Sequence, residues 1–370
     1  MFSRIGGEVE AIERDEQSPM DHNSMKSLVR WPVRIFVGLF VVLCLSLLAG
    51  WSYEQIAEKL DQRRYPPPGI MVNVGGHRLD LFCEGTGTPT VVMEMGSGEP
   101  AALFRPIQDK ISELTQACTY DRAGIGWSEA NLQLRTIPDR AAELYTLLTN
   151  ASIPGPYILV AHSYGGLIVR RFFHDHPVDV RGLVLVDTAE ENFVFRPDFL
   201  KAIDNAMAVR WRDEFRARFG ITRFRFTLMR GQFGIRHDLF GDVRGEIIAF
   251  FSKPSFVRAI TDEGRSYLLV PDDTRRPGGF GSLGNIPAIV IRHGQPSDSI
   301  LIPPDLSHDE FEKLWAQGQA SLSALSTNSE LMVATKSGHM INFDQPELVI
   351  DATKKVVTAV RRNIPIEQIN

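Results

Sequence analysis

Residues 1–30 are polar, with no sustained apolar period, and the chain then turns abruptly hydrophobic. Residues 35–51, IFVGLFVVLCLSLLAGW, hold no charge between Ile35 and Trp51. A helix of that length rises roughly 25 Å, close to the ~30 Å hydrocarbon core of a bilayer. Lys26, Arg30 and Arg34 come before the stretch and Glu54 after it, while Trp31, Trp51 and Tyr53 stand where the two membrane interfaces would fall. The pattern predicts one N-terminal transmembrane helix over 31–53, with 1–30 a cytoplasmic tail and the rest of the chain on the extracytoplasmic side. A cleaved signal peptide and a buried soluble helix are the alternatives; SLLAGW lacks an Ala-x-Ala cleavage pattern, and the polar leader is long.

After QRRYPPPG, whose prolines suggest a stiff linker over 54–68, strands and helices alternate. GIMVNVGGHRLDLFCEG reads as a hairpin turning at Gly75 and Gly76. TPTVVMEMGSG and CTYDRAGIGWS each give a short strand ending in glycines, and between them Leu103, Ile107, Ile111 and Leu114 keep a helical spacing. YILVA, GLVLVD, IPAIVIRHG and ELMVAT are further strands, and GLIVRRFFHDH and the stretches 140–148, 309–325 and 346–360 are helical. Such alternation predicts a mostly parallel central sheet with right-handed crossovers and with its chemistry at the carboxyl ends of the strands. Residues 190–284 break the pattern, mixing aromatic residues with arginines and offering no long β-rich run. They are expected to be a helical cap between a first core part, 69–189, and a second, 285–362, with 363–370 a tail.

The net charge of −5 argues against a polyanionic partner, so no nucleic acid is expected. With 44% hydrophobic and 23% charged residues, the chain beyond its N-terminal tail has the composition of a globular protein.

The candidate chemistry begins at ILVAHSYGG, where a buried-looking strand breaks into a histidine, a serine and small residues. A tight strand-to-helix turn would put Ser163 at its apex as a nucleophile; a plain serine N-cap is the bland reading. A neutral hydroxyl needs a base, and His339, in the small-residue loop SGH after a strand, is the leading one. A surface or structural histidine is its alternative. His162 adjoins the serine and would point elsewhere, His174 and His176 lie at the far end of the next helix, and His293 is a reserve. The orienting acid is expected to be Asp298, in HGQPSD, with Asp187, at the end of LVLVD, the alternative. The amides of Tyr164 and of Ser97 or Gly98 could hold an oxyanion. Neither a phosphate-loop spacing nor an HExxH helix occurs, so no cofactor and no metal are expected.

On these motifs the chain, over about residues 69–362, resembles an α/β-hydrolase of the large group that includes lipases, esterases and cofactor-free haloperoxidases. Ala161-His162-Ser163-Tyr164-Gly165 matches the family's Gly-x-Ser-x-Gly elbow with alanine in the first small position. YDRAGIGWS, residues 120–128, resembles the loop after the family's fourth strand, and His339 takes the place of the family histidine. The resemblance implies an acid after the seventh strand, the Asp298 loop, although some relatives place it at the preceding strand end, as at Asp187. It also makes the strands of Cys83 and Cys118 neighbours, which allows a disulfide; two buried thiols are the alternative. Where relatives often have His-Gly before the oxyanion loop this chain has Glu94-Met95-Gly96, and Glu94 is given a structural role only. A serine at the elbow argues against dehalogenase or epoxide hydrolase chemistry, whose relatives use aspartate there.

The implied function is that of a membrane-anchored serine hydrolase cleaving carboxylic esters or related acyl bonds of a small hydrophobic or lipid-like substrate. An acyltransferase or perhydrolase using the same residues, and a non-catalytic membrane-tethered interaction protein, are the alternatives. In the cap, Trp211, Phe215, Phe219, Phe224 and Phe226 are expected in a core, with Arg210, Arg212, Arg216 and Arg218 on a solvated face. Contact of that segment with anionic lipid is the competing reading.

Overall fold

The computed structural model describes residues 22–228, 244–270, 279–297 and 302–369. They fall in two compact units, Met1–Ala49 and Gly50–Asn370. In the first, the described residues belong to a single helix, α1, which runs His22–Arg64. Its stretch from Trp31 is long and apolar enough to cross a membrane, and large side chains such as Phe36, Leu39 and Phe40 are exposed along it. A signal sequence shares that length and composition.

The second unit opens with a departure from expectation, because residues 54–64, read as linker, continue the helix. Glu54 is fully buried and accepts hydrogen bonds from Nε and Nη2 of Arg223 at 2.9 and 2.7 Å. The same guanidinium bonds Asp61, two turns further along the same helical face. A buried carboxylate is tolerable only with such a partner, and the partner comes from far along the chain, where no local pattern reveals it. Only after Arg64 do the prolines end the helix.

The described strands are β1 Ile70–Asn73, β2 Arg78–Glu84, β3 Thr90–Glu94, β4 Ala117–Tyr120, β5 Tyr157–His162, β6 Val180–Val186, β7 Ala288–His293 and β8 Ser329–Ala334. They form one sheet in the order β1-β2-β4-β3-β5-β6-β7-β8, antiparallel at β1/β2 and β2/β4 and parallel from there on. Every residue of β3 and β5 is buried, as a strand covered on both faces requires. The two-residue period sorts the sides: Leu159 and Ala161 pack with Leu144 and Leu167, whereas Ile158 and Val160 pack with Ile107, Ile111 and Val356. Helices α2 Arg105–Ser112 and α12 Pro346–Arg362 cover the second face; α3 Ile137–Asn150, α4 Gly165–Asp175 and α11 His308–Ser323 cover the first.

Between β6 and β7 the described elements are helices: α5 Glu191–Val194, α6 Pro197–Ala208, α7 Trp211–Arg218, α8 Ile221–Leu228, α9 Arg244–Ser252 and α10 Pro254–Leu268. The expected aromatic core of this cap is not there. Trp211, Phe215 and Phe224 are 65%, 43% and 61% exposed, and Phe219 and Phe226 are half-buried. These rings stand among the arginines of α7 and α8 and not beneath them.

In β2 and β4, Cys83 lies directly opposite Cys118 and the two form a disulfide with Cα atoms 4.1 Å apart. The link spans a sequence separation of 35 residues, so removing it restores considerable chain entropy to the unfolded state. The Cys83→Ala/Cys118→Ala protein is expected to lose about 3 kcal/mol of stability, read as a lower denaturant midpoint, with an m-value that rises because the unlinked unfolded chain exposes more surface.

Candidate active site

At the end of β5 the backbone turns sharply, and Ser163 adopts φ 51°, a left-handed conformation unusual for a residue with a side chain. Two sets of hydrogen bonds hold it there. Its N–H donates to Val186 O at 3.1 Å, and its carbonyl accepts from Gly166 N at 3.1 Å and Ala189 N at 3.0 Å. Both following glycines are required by space: a Cβ on Gly165 would lie 2.7 Å from Met95 O, and one on Gly166 would lie 2.3 Å from Thr188 Cβ. Ala161, two residues before the serine, is fully buried without distorting the turn.

The loop after β8 brings His339 to this apex. Its Nε2 is 2.9 Å from Ser163 Oγ and its Nδ1 is 2.7 Å from Asp187 Oδ2. With Nδ1–H donated to the carboxylate, the Nε2 lone pair faces the serine hydroxyl, which is the tautomer a general base needs. Asp298, the preferred acid of the sequence reading, lies outside the described residues; the carboxylate on His339 is Asp187.

Asp187 stands just past β6 with φ 46° and no exposure to solvent. Besides His339 it accepts Trp315 Nε1–H at 2.9 Å and the His293 amide at 3.0 Å, both on Oδ1, and His293 Nδ1–H at 2.6 Å on Oδ2. Burial is the largest single influence and pushes its carboxyl up, but the hydrogen bonds and charges of the two histidines outweigh it and hold the group well below the usual carboxylate range. His293, the reserve base, therefore serves the acid and does not approach the serine. Its other nitrogen, Nε2, is 2.6 Å from Glu312 Oε2. A carboxylate on each nitrogen favours the doubly protonated, charged imidazole at His293. In agreement, the two carboxylates raise its pKa against the opposing effect of burial.

Asp187, His293 and His339 bring ligand-type atoms within 4.8 Å of one another. Each of those atoms is taken up by a hydrogen bond within the cluster. His162 points away from the serine, as its place in the turn suggests: Nδ1 meets Glu99 at 2.9 Å, and Nε2 donates to the His339 carbonyl at 2.9 Å. Burial works against charge on either group, yet their mutual attraction holds Glu99 down and His162 up. The pair braces the catalytic loop.

Opposite the serine lies the turn after β3. Here the cap intervenes in a way no sequence motif announces: Glu263 of α10 accepts from the Gly98 amide at 2.9 Å, from Ser97 Oγ at 2.8 Å and from Arg122 Nε at 2.7 Å. Arg122 in turn bonds Glu94 and the carbonyls of Met95 and Gly96, so Glu94 is the structural ion-pair partner expected of it. The Gly98 amide, one of the expected oxyanion donors, is thus committed to Glu263. A cavity of about 680 Å³ adjoins this turn, lined by Ser97, Gly98 and Met340 on one side and by Ile221, Phe226 and Phe256 among the cap residues.

A nucleophile, base and acid in hydrogen-bonded series on the carboxyl edge of a parallel sheet define a serine hydrolase. The chain belongs to the alpha/beta hydrolase family, whose sequence profile matches residues 47–352. It is similar to the probable transporter efuK of Hormonema carpetanum, at 27% identity over 78% of this chain and 42% of that protein. It is also similar to the uncharacterized protein YqjL of Bacillus subtilis, at 23% identity over 72% of this chain and 82% of that protein. The chain thus spans less than half of efuK and most of YqjL. Among solved structures, a thermophilic esterase from Thermogutta terrifontis shares the fold with a TM-score of 0.56 and 19% identity, covering 78% of this chain and 97% of the esterase.

Two outcomes follow from this geometry. Burial first of all, and then the His162 charge, set the His339 pKa below its ordinary 6.5 in spite of Asp187. Since only the neutral imidazole is a base, the acid limb of kcat/KM is expected below that value. In Glu312→Gln, His293 becomes free to lose its charge, Asp187 acts more fully on His339, and the limb moves up by about half to one pH unit. Glu263→Gln releases the Ser97–Gly98 turn, and kcat is expected to fall about tenfold to a hundredfold with little change in KM, as steady-state kinetics on one ester will show.

Proposed function

We propose that the protein is a membrane-anchored serine hydrolase of hydrophobic carboxylic esters. The observation that carries this reading is the continuous series Ser163 Oγ, His339 Nε2, His339 Nδ1, Asp187 Oδ2, with links of 2.9 and 2.7 Å. His339 takes the hydroxyl proton as Ser163 attacks the carbonyl, and the amides of Tyr164 and Ser97 stabilise the oxyanion. His339 then protonates the leaving alcohol, and a water molecule, activated by the same imidazole, releases the acid from the acyl enzyme. The apolar side chains Ile221, Phe226, Ile247, Phe251, Phe256 and Ile260 around the cavity support a hydrophobic substrate, and the shared fold of a solved esterase is consistent with ester chemistry.

In this reading residues 31–53 are the anchor and 190–284 the cap on a core built from 69–189 and 285–362. The exposed apolar surface of α1 supports the anchor. Lysine and arginine before the span, together with the Cys83–Cys118 disulfide, support an extracytoplasmic catalytic domain.

Labelling of the detergent-solubilised full chain by a fluorophosphonate probe tests the chemistry. Wild type is expected to label, Ser163→Ala not at all, and His339→Ala and Asp187→Asn at least about a hundredfold more slowly. A folded wild type that stays unlabelled while a known serine hydrolase reacts in the same tube would refute the reading.

A further inference from the structure

The end of the apolar stretch of α1 is not free in the Gly50–Asn370 unit. A Cβ on Gly50 would lie 2.5 Å from the carbonyl oxygen of Phe219, and one on Gly220 would lie 2.7 Å from the Tyr53 ring. The turn joining α7 to α8 is therefore packed against Gly50 and Tyr53, the residues flanking Trp51. Next along the helix, the buried Glu54 and, two turns beyond it, the half-buried Asp61 grip Arg223 of α8. The cap hairpin is fastened to the helix at the level where the apolar run stops.

The hairpin's outer face is apolar and basic at once. Trp211, Phe215, Ile221, Phe224 and Leu228 are 65%, 43%, 48%, 61% and 72% exposed. Between them stand Arg210, Arg212, Arg216, Arg218 and Arg225, against only Asp213 and Glu214 as acids on these two helices outside the Arg223 clamp. Exposed aromatic rings among arginines suit the boundary between headgroups and acyl chains, where rings are half-immersed and guanidinium groups meet phosphate. A cluster of exposed apolar side chains of this kind marks an interaction surface.

We propose that the α7–α8 hairpin docks into the headgroup layer of the bilayer that holds α1, so that the cap meets its substrate at the membrane surface. This rests on the reading of residues 35–51 as a membrane span. The occupant of the face is lipid, because its exposed rings stand among arginines and because Gly50, Tyr53 and Glu54, to which the hairpin is fastened, adjoin the end of the apolar run in the sequence. The consequence for catalysis is direct: Arg210, Arg216, Ile221 and Arg225 of the same segment also line the cavity beside Ser97 and Gly98. An ester dissolved in the leaflet then has a shorter path to Ser163 than one in bulk water.

Site-directed spin labelling of the full chain in nanodiscs containing anionic lipid tests this. A nitroxide on the native free thiol Cys44 reports the span, and one at Phe224→Cys in a Cys44→Ser background reports the hairpin. Val178→Cys, at a position 72% exposed beyond α4, is the water-facing control. The expected result is relaxation by oxygen but not by a water-soluble nickel complex at both 44 and 224, with the reverse at 178. A label at 224 that responds to nickel as the control does, while 44 stays in lipid, overturns the docking and leaves the anchor standing. Nickel access at 44 overturns the span and the docking with it. Protection at 224 from both reagents means that protein covers the face, and that also overturns the proposal.

Discussion

A carboxylate with no exposure to water cannot stay ionised unless the fold supplies donors, and Asp187 is the point around which the carboxyl edge of the sheet is organised. Its four recorded donors come from three places: the amide and Nδ1 of His293 at the end of β7, the indole of Trp315 on α11, and Nδ1 of His339 in the loop after β8. Each donor fixes its own element. Glu312, one turn before Trp315, carries the arrangement outward by holding the far side of the His293 ring. The orientation of the general base is thus a property of the whole C-terminal half of the sheet and not of one short loop.

A second buried network performs the same task at the opposite side of the serine. Arg122 reaches Glu94, the carbonyls of Met95 and Gly96, and Glu263 of the cap, and Glu263 reaches the turn that offers the Ser97 amide. An arginine enclosed in this way is held charged, because burial alone would oppose it and the surrounding carboxylates outweigh burial. The cap is therefore joined to the oxyanion turn by charge as well as by apolar contact. Any movement of α10 that admits substrate must keep Glu263 on Arg122 or leave the buried Glu263 carboxylate without its arginine, which is strongly unfavourable. The ties of α7 and α8 run instead to α1, through the buried pair of Arg223 with Glu54.

How far the sequence was legible follows from the range of each interaction. Strands and crossover helices repeat on a local period, so the sheet, the serine turn and the loop of His339 could be read from runs such as YILVAHSYGG and KSGHM. The linker expectation failed because the burial of Glu54 depends on Arg223, 169 residues away. The acid was ambiguous for the same reason. Asp187 and Asp298 both follow strands, and what distinguishes Asp187 is a set of donors from positions 293, 315 and 339 that no local pattern connects. Glu263 left no signal at all, since one glutamate in a helix with mixed polarity looks like any solvated residue. The exposed aromatics of the cap were misassigned because an amphipathic pattern names the apolar side chains without naming the solvent they face.

The nucleophile and its acid also share a backbone solution that sheet geometry makes intelligible. Ser163 and Asp187 each follow the last residue of a strand, and each takes a positive φ, 51° and 46°. In both, the amide still completes the ladder: Ser163 N–H reaches Val186 O at the end of β6, and Asp187 N–H reaches Ile291 O in β7 at 2.7 Å. The residue is held by one more rung while its dihedral turns the chain out of the strand. The side chain is thereby presented above the sheet edge without a long flexible stem. A left-handed conformation costs a residue with a Cβ of order 1–3 kcal/mol, and it persists only where neighbouring rungs over-determine it. Here β5, β6 and β7 lie side by side, so each strained residue is secured by the strand next to it. Placing Ser163 and Asp187 at the ends of adjacent strands sets their separation by the inter-strand spacing of ~4.8 Å and the register, leaving His339 to bridge a gap that the backbone itself has defined.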